Sequence, residues 1–160
     1  MKSKLILLLT AFFLCSAFKA DKPVITIFMI GDSTMSNKSL VGGNLERGWG
    51  HVLPGFFSED IRVDNHAMNG RSSKSFIDEG RWDKVLSLIK KGDYVFIQFG
   101  HNDEKPKADR HTDPGTTFDA NLRKFVNETR AKGGIPVLFN SIVRRNFGTA
   151  DNKAVAEAIL

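Results

Sequence analysis

The sequence predicts an α/β fold of three layers, in which a mainly parallel sheet lies between helices. Several segments are apolar without alternation, which is typical of strands covered on both faces. Amphipathic helical segments separate them, so strands and helices alternate along the chain, as in parallel sheets with crossover connections. The 160 residues contain no repeat and no linker, which indicates one domain.

Four strands are predicted in chain order. Residues 24–30 form the first, a β-branched and apolar run, and residues 61–65 form a weaker second candidate. Residues 94–99 and 135–140 form the third and fourth, and both are again mostly apolar. Pro136 stands near the start of the last run, where a missing backbone N–H is tolerated.

Helical periodicity fills two of the gaps between these strands. Residues 81–90 and 117–132 each carry apolar side chains at helical spacing, and they stop before Gly92 and Gly133 respectively. The apolar faces consist of Trp82, Val85, Leu86 and Ile89 in the first helix and of Phe118, Leu122, Phe125 and Val126 in the second. A third helix is predicted over residues 152–160.

The first 20 residues have the pattern of a secretory signal. A short basic start precedes the apolar stretch at residues 5–14, which is too short to span a bilayer, and small residues follow it. We therefore expect a secreted or periplasmic protein whose mature domain is residues 21–160, without stable membrane insertion. Lipid attachment at Cys15 is an alternative, although Leu14 precedes it where a small residue is usual.

Charge argues against a nucleic-acid partner. The formal charge is +5, and three of the lysines lie in the first 20 residues, which contain no acid, so the remaining chain carries +2. Elsewhere basic and acidic residues are interleaved, without the continuous basic stripe that nucleic acid requires.

Loss of Cys15 with the signal would leave no thiol nucleophile and no cysteine-ligated zinc.

Three short polar motifs each follow a predicted strand. Ser33 offers a hydroxyl, Gly70 a backbone N–H that a ligand can approach, and Asn102 a side-chain amide. Carboxyl ends of parallel strands meet at one edge of a sheet, which is where such folds place their sites. These groups are the parts needed to attack an ester carbonyl and to bind the oxyanion that forms.

Taken singly, each motif also has a structural interpretation. Gly31-Asp32-Ser33-Thr34 can be a turn and helix cap, Asn69-Gly70 a turn, and Asn102 an Asx-turn. The spacing favours function, because Ser33 and Gly70 are 37 residues apart and Gly70 and Asn102 are 32 apart, each about one βα unit.

Four neighbouring residues are candidates for substrate contact. Asp32 can accept hydrogen bonds from its own loop and hold its shape, and Arg71 can bind a polar substrate. Trp49 can stack on a sugar or pack in the core, and His101 can serve as a structural donor. We expect all four to be substrate-binding residues.

These motifs resemble the sequence blocks of SGNH/GDSL-type esterases. Gly31-Asp32-Ser33-Thr34 resembles the first block, with Thr34 where leucine is commoner, Gly70 the second, and Gly100-His101-Asn102-Asp103 the third. Gly48-Trp49-Gly50 and the segment from Asn69 to Phe76 resemble one branch of that family in particular, the rhamnogalacturonan acetylesterases. The resemblance extends from residue 24 to about residue 147.

The resemblance implies a flavodoxin-like SGNH hydrolase fold and a serine esterase. Ser33 would be the nucleophile, and the N–H groups of Ser33 and Gly70 with the amide of Asn102 would form the oxyanion hole. The reaction would remove acetyl groups from an acetylated plant polysaccharide of the pectic class. The family resemblance implies neither a metal nor an organic cofactor.

One block of that family has no counterpart here. None of the four histidines stands three residues after an aspartate, so an Asp-x-x-His base pair is missing. We therefore expect a chain that is incomplete at its C-terminus and weak or inactive alone. The alternatives are a non-catalytic carbohydrate-binding relative and a flavodoxin-like module that binds phosphate or a nucleotide, although no glycine-rich phosphate loop is present.

Overall fold

The computed structural model describes residues 24–142, which contain one sheet of four parallel strands. The strands lie in the order β2-β1-β3-β4. They are β1 (Ile25–Gly31), β2 (Ile61–Asn65), β3 (Tyr94–Gln98) and β4 (Ile135–Leu138). All four predicted strands are therefore confirmed, with ends that differ from the prediction by at most two residues.

The strand order places the topological switch point of the sheet at β1. The chain passes from β1 to β2 on one side and then crosses to β3 on the other side. Met29 is in register with Asn65 of β2, and Gly31 is in register with Gln98 of β3. The loops that follow β1, β2 and β3 consequently leave the same edge of the sheet, next to the topological switch point.

Four α-helices accompany the sheet in the described residues, namely α1 (Trp49–Val52), α2 (Ser73–Asp78), α3 (Arg81–Leu88) and α4 (Thr117–Ala131). The two longest confirm the predicted helices, whereas α1 and α2 were not predicted. Helix α2 begins with a capping box, in which the Ser72 hydroxyl accepts from the N–H of Ser75 while the Ser75 hydroxyl accepts from the N–H of Ser72.

Alternation along β1 and β3 divides the core into two clusters, one on each face of the sheet. The larger cluster contains Phe28, Ile30, Val95 and Ile97 from the strands. Side chains of α2, α3 and α4 cover it, with Phe76, Trp82, Val85 and Phe125 fully buried. Trp82 and Phe125 meet edge to face at 5.0 Å, which adds directional packing to the burial of area.

In residues 24–142, short elements cover the opposite face of the sheet. Its buried cluster consists of Ile27, Met29, Met35 and Ala67, and α1 with two short 3₁₀ turns (Val41–Gly43 and Leu53–Phe56) lies on the connection from β1 to β2. An apolar groove of about 380 Å³ lies on this face, lined by side chains of all four strands and by Phe57. Within residues 24–142, no helix is both long and apolar enough to cross a bilayer.

Three predictions fall outside the described residues. They are the signal over residues 1–20, the lipid-attachment alternative at Cys15 and the helix over residues 152–160.

Candidate active site

The three loops at the carboxyl edge are joined by hydrogen bonds between their side chains and backbones. Ser36, in the loop after β1, donates to Oδ1 of Asn69 in the loop after β2, at 2.6 Å. Asn102, in the loop after β3, donates from Nδ2 to the backbone oxygen of Arg71 at 3.0 Å. The structure therefore brings the loops of Ser33, Gly70 and Asn102 together, as the spacing predicts.

The loop that carries Ser33 is built on the buried carboxylate of Asp32. Its Oδ1 accepts from the N–H of Thr34 at 2.9 Å and lies 2.8 Å from the Thr34 hydroxyl, which also lies 3.1 Å from Oε1 of Gln98. A hydroxyl has one proton to donate, so these two acceptors share it. Asp32 is 1% exposed, which supports the loop-holding role; its predicted contact with substrate stays a prediction.

Gly31 allows β1 to end close to β3. A Cβ at Gly31 would lie 2.6 Å from the backbone oxygen of Gln98, far inside contact distance. Ser33 follows this close approach by two residues and is partly exposed. The glycine of the first motif thus sets where the loop of Ser33 leaves the sheet.

Gly70 adopts a left-handed backbone conformation, with φ of 74°. Only glycine adopts this region without a steric penalty, which explains its position in the turn between Met68 and Arg71. Within residues 24–142, the N–H of Gly70 donates no hydrogen bond. Such an N–H is the donor type that an oxyanion hole requires.

The side chain of Asn102 is buried and held at both ends. Nδ2 donates to Arg71, and Oδ1 accepts from Nζ of Lys105 at 2.8 Å. An ammonium group can only donate, so the contact with Lys105 identifies the amide oxygen. One of the two amide hydrogens is used, and the second has no acceptor among residues 24–142.

Asp103 fixes the third loop against the start of α2. Its carboxylate accepts from the N–H of Ser73 at 2.9 Å, from the Ser73 hydroxyl at 2.5 Å and from the Thr112 hydroxyl at 3.0 Å. Burial raises the pKa of Asp103 above its ordinary value, and these hydrogen bonds partly oppose that shift. Sequence reasoning did not assign a role to Asp103, although it stands directly after Asn102 in the third motif.

The other three residues predicted to contact substrate are Trp49, Arg71 and His101, and two of them already contact protein groups through their polar atoms. Trp49 donates from Nε1 to Gln98 at 2.7 Å and packs against Phe139, so its polar group is already used. Arg71 binds both carboxylate oxygens of Glu79 at 3.1 Å. His101 is buried, and its Nε2 has no partner among residues 24–142. Substrate contact by these three residues stays a prediction.

No histidine nitrogen is hydrogen-bonded to Ser33 within the described part of the chain, which contains all four histidines. His51 accepts from the backbone N–H of Lys38, and His111 contacts Asp113 at 3.2 Å. Nε2 of His66 lies 3.1 Å from Asp64 and makes no hydrogen bond among the described residues. The described residues also contain no group of three or more side chains arranged to hold a metal ion.

The comparison with protein families gives the identity that this geometry suggests. Residues 29–159 match the GDSL-like Lipase/Acylhydrolase family. The chain belongs to this family. The match includes all three loops of the candidate site, so the resemblance of the motifs is confirmed.

Two curated relatives from Bacillus subtilis (strain 168) are similar to this chain. Rhamnogalacturonan acetylesterase RhgT is 44% identical over 79% of this chain and 53% of its own length. The probable rhamnogalacturonan acetylesterase YesY is 38% identical over 76% of this chain and 55% of its own length. The chain therefore spans about half the length of the curated relatives it matches.

A solved structure supports the fold. The crystal structure of the YxiM protein from Bacillus subtilis superposes with a TM-score of 0.70 at 30% identity, covering 79% of this chain and 35% of that one. The predicted class, a parallel α/β sheet of the SGNH type, is thereby confirmed.

Proposed function

We propose that this chain supplies the nucleophile and the oxyanion hole of a serine esterase that removes acetyl groups from a pectic polysaccharide. The observation that carries the proposal is the hydrogen bond from Asn102 to Arg71, because it joins the amide to the loop of Gly70. The names of RhgT and YesY support the choice of acetylated rhamnogalacturonan as substrate.

The proposed reaction has two stages. Oγ of Ser33 attacks the acetyl carbonyl carbon, and the carbonyl oxygen becomes an oxyanion that accepts from the N–H groups of Ser33 and Gly70 and from Nδ2 of Asn102. Collapse of this intermediate breaks the bond to the sugar oxygen, which leaves with the proton lost by Ser33. Water then attacks the acetyl-enzyme, releasing acetate and restoring the hydroxyl.

The proton transfer requires a base that acts on Ser33. A partner of the Asp-x-x-His type would accept the proton during attack and return it to the leaving sugar oxygen. This sequence contains no such pair. The proposal therefore assigns to this chain the attack and the stabilisation of charge, and it expects low turnover from these 160 residues alone.

Acetate release from acetylated rhamnogalacturonan tests the proposal. The full chain is compared with Ser33→Ala and with Ser87→Ala, which removes an exposed hydroxyl from α3. We expect Ser33→Ala to abolish release and labelling by a fluorophosphonate probe, and Ser87→Ala to retain both. Release or labelling that persists in Ser33→Ala would overturn the assignment of the nucleophile.

A carbohydrate-binding function is the second candidate, and the lack of a histidine hydrogen-bonded to Ser33 in residues 24–142 favours it. It predicts that the chain binds the acetylated polysaccharide without releasing acetate or reacting with the probe. Equilibrium binding measured beside acetate release separates the two candidates.

Export is part of the proposal and rests on residues 1–20. We propose that these residues direct secretion or transfer to the periplasm. N-terminal sequencing of the protein recovered outside the inner membrane is expected to begin after Ala17 or Ala20. Recovery of the uncleaved chain in the cytoplasm alone would contradict this proposal.

A further inference from the structure

The guanidinium of Arg110 lies against Gly70. Nη1 of Arg110 is 3.5 Å from the position that a Cβ on Gly70 would occupy, and Nη2 is 4.0 Å from it. Gly70 is the residue to which the proposed function assigns an oxyanion-binding N–H. A cationic side chain therefore borders the place where the ester would sit.

This guanidinium has little compensation from protein acids. Its ion pair in the described residues is with its neighbour Asp109, where Nε lies 3.5 Å from an exposed carboxylate. The side chain is 28% exposed, and its two terminal nitrogens donate no hydrogen bond to residues 24–142. A partly buried guanidinium whose terminal N–H donors have unused capacity is well suited to bind an anion.

The loop that carries Arg110 is anchored at both ends. Nζ of Lys74 donates to the backbone oxygen of Ala108 at 3.1 Å. On the other side of Arg110, the N–H of Thr112 donates to the backbone oxygen of Asp103 at 3.0 Å. The guanidinium is thus presented beside Gly70 by a fixed loop, which lowers the entropic cost of binding a ligand there.

A second cation borders the other proposed oxyanion donor. Nζ of Lys105 contacts the amide oxygen of Asn102 at 2.8 Å. Both donors, Gly70 and Asn102, therefore have a basic side chain beside them. An electrostatic environment of this sign favours a substrate that carries negative charge close to its ester.

We infer that Arg110 is a specificity-determining residue that binds the carboxylate of a uronic acid at or next to the acetylated sugar. The inference rests on the proposed function and deepens it, since a pectic chain carries such carboxylates. A guanidinium pairs with a carboxylate through two parallel hydrogen bonds, a geometry that a neutral sugar hydroxyl cannot reproduce. Arg110 would thus select acidic over neutral acetylated sugars.

The test varies the charge at position 110 and the charge of the substrate independently, and it measures activity for each combination. Arg110→Gln and Arg110→Lys are compared with Arg130→Gln, a matched change on the exposed last turn of α4, at the opposite edge of the sheet. The substrates are an acetylated oligosaccharide containing galacturonate and the same oligosaccharide with its carboxylates reduced to alcohols. Thermal melts confirm that each variant is folded.

We expect Arg110→Gln to lower kcat/KM for the acidic oligosaccharide about 10- to 100-fold more than for its reduced form, as befits one charge-assisted pair. Arg110→Lys should lie between this variant and the parent, because it keeps the charge and loses the two-pronged geometry. Arg130→Gln should leave the preference unchanged. Equal losses on both substrates in Arg110→Gln would overturn the inference.

Binding separates this inference from the proposed function. Calorimetry with the acetyl-free oligosaccharides is run on the same proteins, with the acidic form expected to bind about 10-fold or more tightly than the reduced form. Wild-type chain that shows this preference but releases no more acetate from the acetylated oligosaccharide than Ser33→Ala does would contradict the esterase proposal and support the role of Arg110. Binding that is indifferent to the carboxylate, or to Arg110→Gln, would overturn that role.

Discussion

The amide of Asn102 donates to the backbone oxygen of Arg71 at 3.0 Å while it accepts from Lys105 at 2.8 Å. Two contacts on opposite ends of one amide fix both its rotation and its identity. A donor fixed before substrate arrives loses no reorganisation energy when charge develops, which is the main advantage of an oxyanion hole over water. Arg71 thereby contributes through its backbone, independently of its side chain.

Replacement of Asn102 should lower turnover more than binding. We expect Asn102→Ala to reduce kcat about 10²- to 10³-fold with KM little changed, since the amide acts on charge formed in the transition state. Steady-state kinetics on an acetyl ester, compared between Asn102→Ala and the parent protein, give the measurement. Asn127→Ala, on the exposed face of α4, is the control. An unchanged kcat in Asn102→Ala would contradict the assignment.

Asn69 clamps the loop of Ser33 to the loop of Gly70. Its Oδ1 accepts from Ser36 at 2.6 Å and from the buried ammonium of Lys38 at 2.8 Å. Asn69→Ala removes an acceptor from both groups, so we expect a loss of about 1–3 kcal/mol in the free energy of unfolding. Urea denaturation measures it.

The matched control for the clamp is Glu46→Gln. Glu46 pairs with the same Lys38 at 3.0 Å, but its own side chain is 65% exposed. Solvent screens such a pair, and we expect a loss below about 1 kcal/mol. A larger loss from Glu46→Gln than from Asn69→Ala would show that the ion pair, and not the amide, stabilises Lys38.

Asp103 should make stability depend on pH. Its pKa is raised by burial, so the folded state holds its proton more tightly than the unfolded chain does. The resulting contribution is fully present below the unfolded pKa and is lost as pH rises through the folded pKa. We expect the stability of the wild type relative to Asp103→Asn to increase as pH falls from 7 into the acidic range.

Denaturant titrations of both proteins across that pH range give the measurement, with Asp83→Asn as a control at an exposed position of α3. The Asn variant retains an oxygen for Ser73 and Thr112 but cannot titrate. A difference between wild type and Asp103→Asn that moves in the opposite direction with pH would mean that the hydrogen bonds to Asp103 outweigh its burial.

Local patterns predicted the fold well because they report on burial. The apolar runs of β1 and β3 supply the side chains that are buried on the two faces of the sheet. The apolar stripes of α3 and α4 pack against one of these faces. Helix α2 escaped prediction because six residues are too few for a clear period, and its start depends on a reciprocal pair of serines, Ser72 and Ser75, where a capping box usually has a glutamate or glutamine.

The site was predictable only in part, because local patterns locate strand ends but not contacts between side chains of distant loops. Ser33, Gly70 and Asn102 follow strands, so topology alone brings their loops together. Arg110 and Lys38 reach these loops through contacts between residues about 30 or more positions apart, such as Lys38 with Asn69. No local period or spacing encodes a long side chain that crosses to another loop, which is why both were missed.

Gly31 and Gly70 should fail for different physical reasons when each is replaced by alanine. A Cβ at Gly31 would lie 2.6 Å from a backbone oxygen of β3, so the sheet must open where the loop of Ser33 begins, and we expect a loss of about 1–3 kcal/mol. A Cβ at Gly70 meets only Arg110 at 3.5 Å, an ordinary contact, so its cost is the left-handed backbone, about 1–2 kcal/mol. Gly55→Ala, which has open space and no positive φ, should be close to neutral in the same denaturation series.

Asparagine variants separate the two causes, because Asn tolerates the left-handed region better than Ala. Gly70→Asn should therefore recover part of the free energy of unfolding lost in Gly70→Ala, and Gly31→Asn should recover none of that lost in Gly31→Ala. Recovery at Gly31 would show that backbone conformation, and not the approach of β3, requires glycine there.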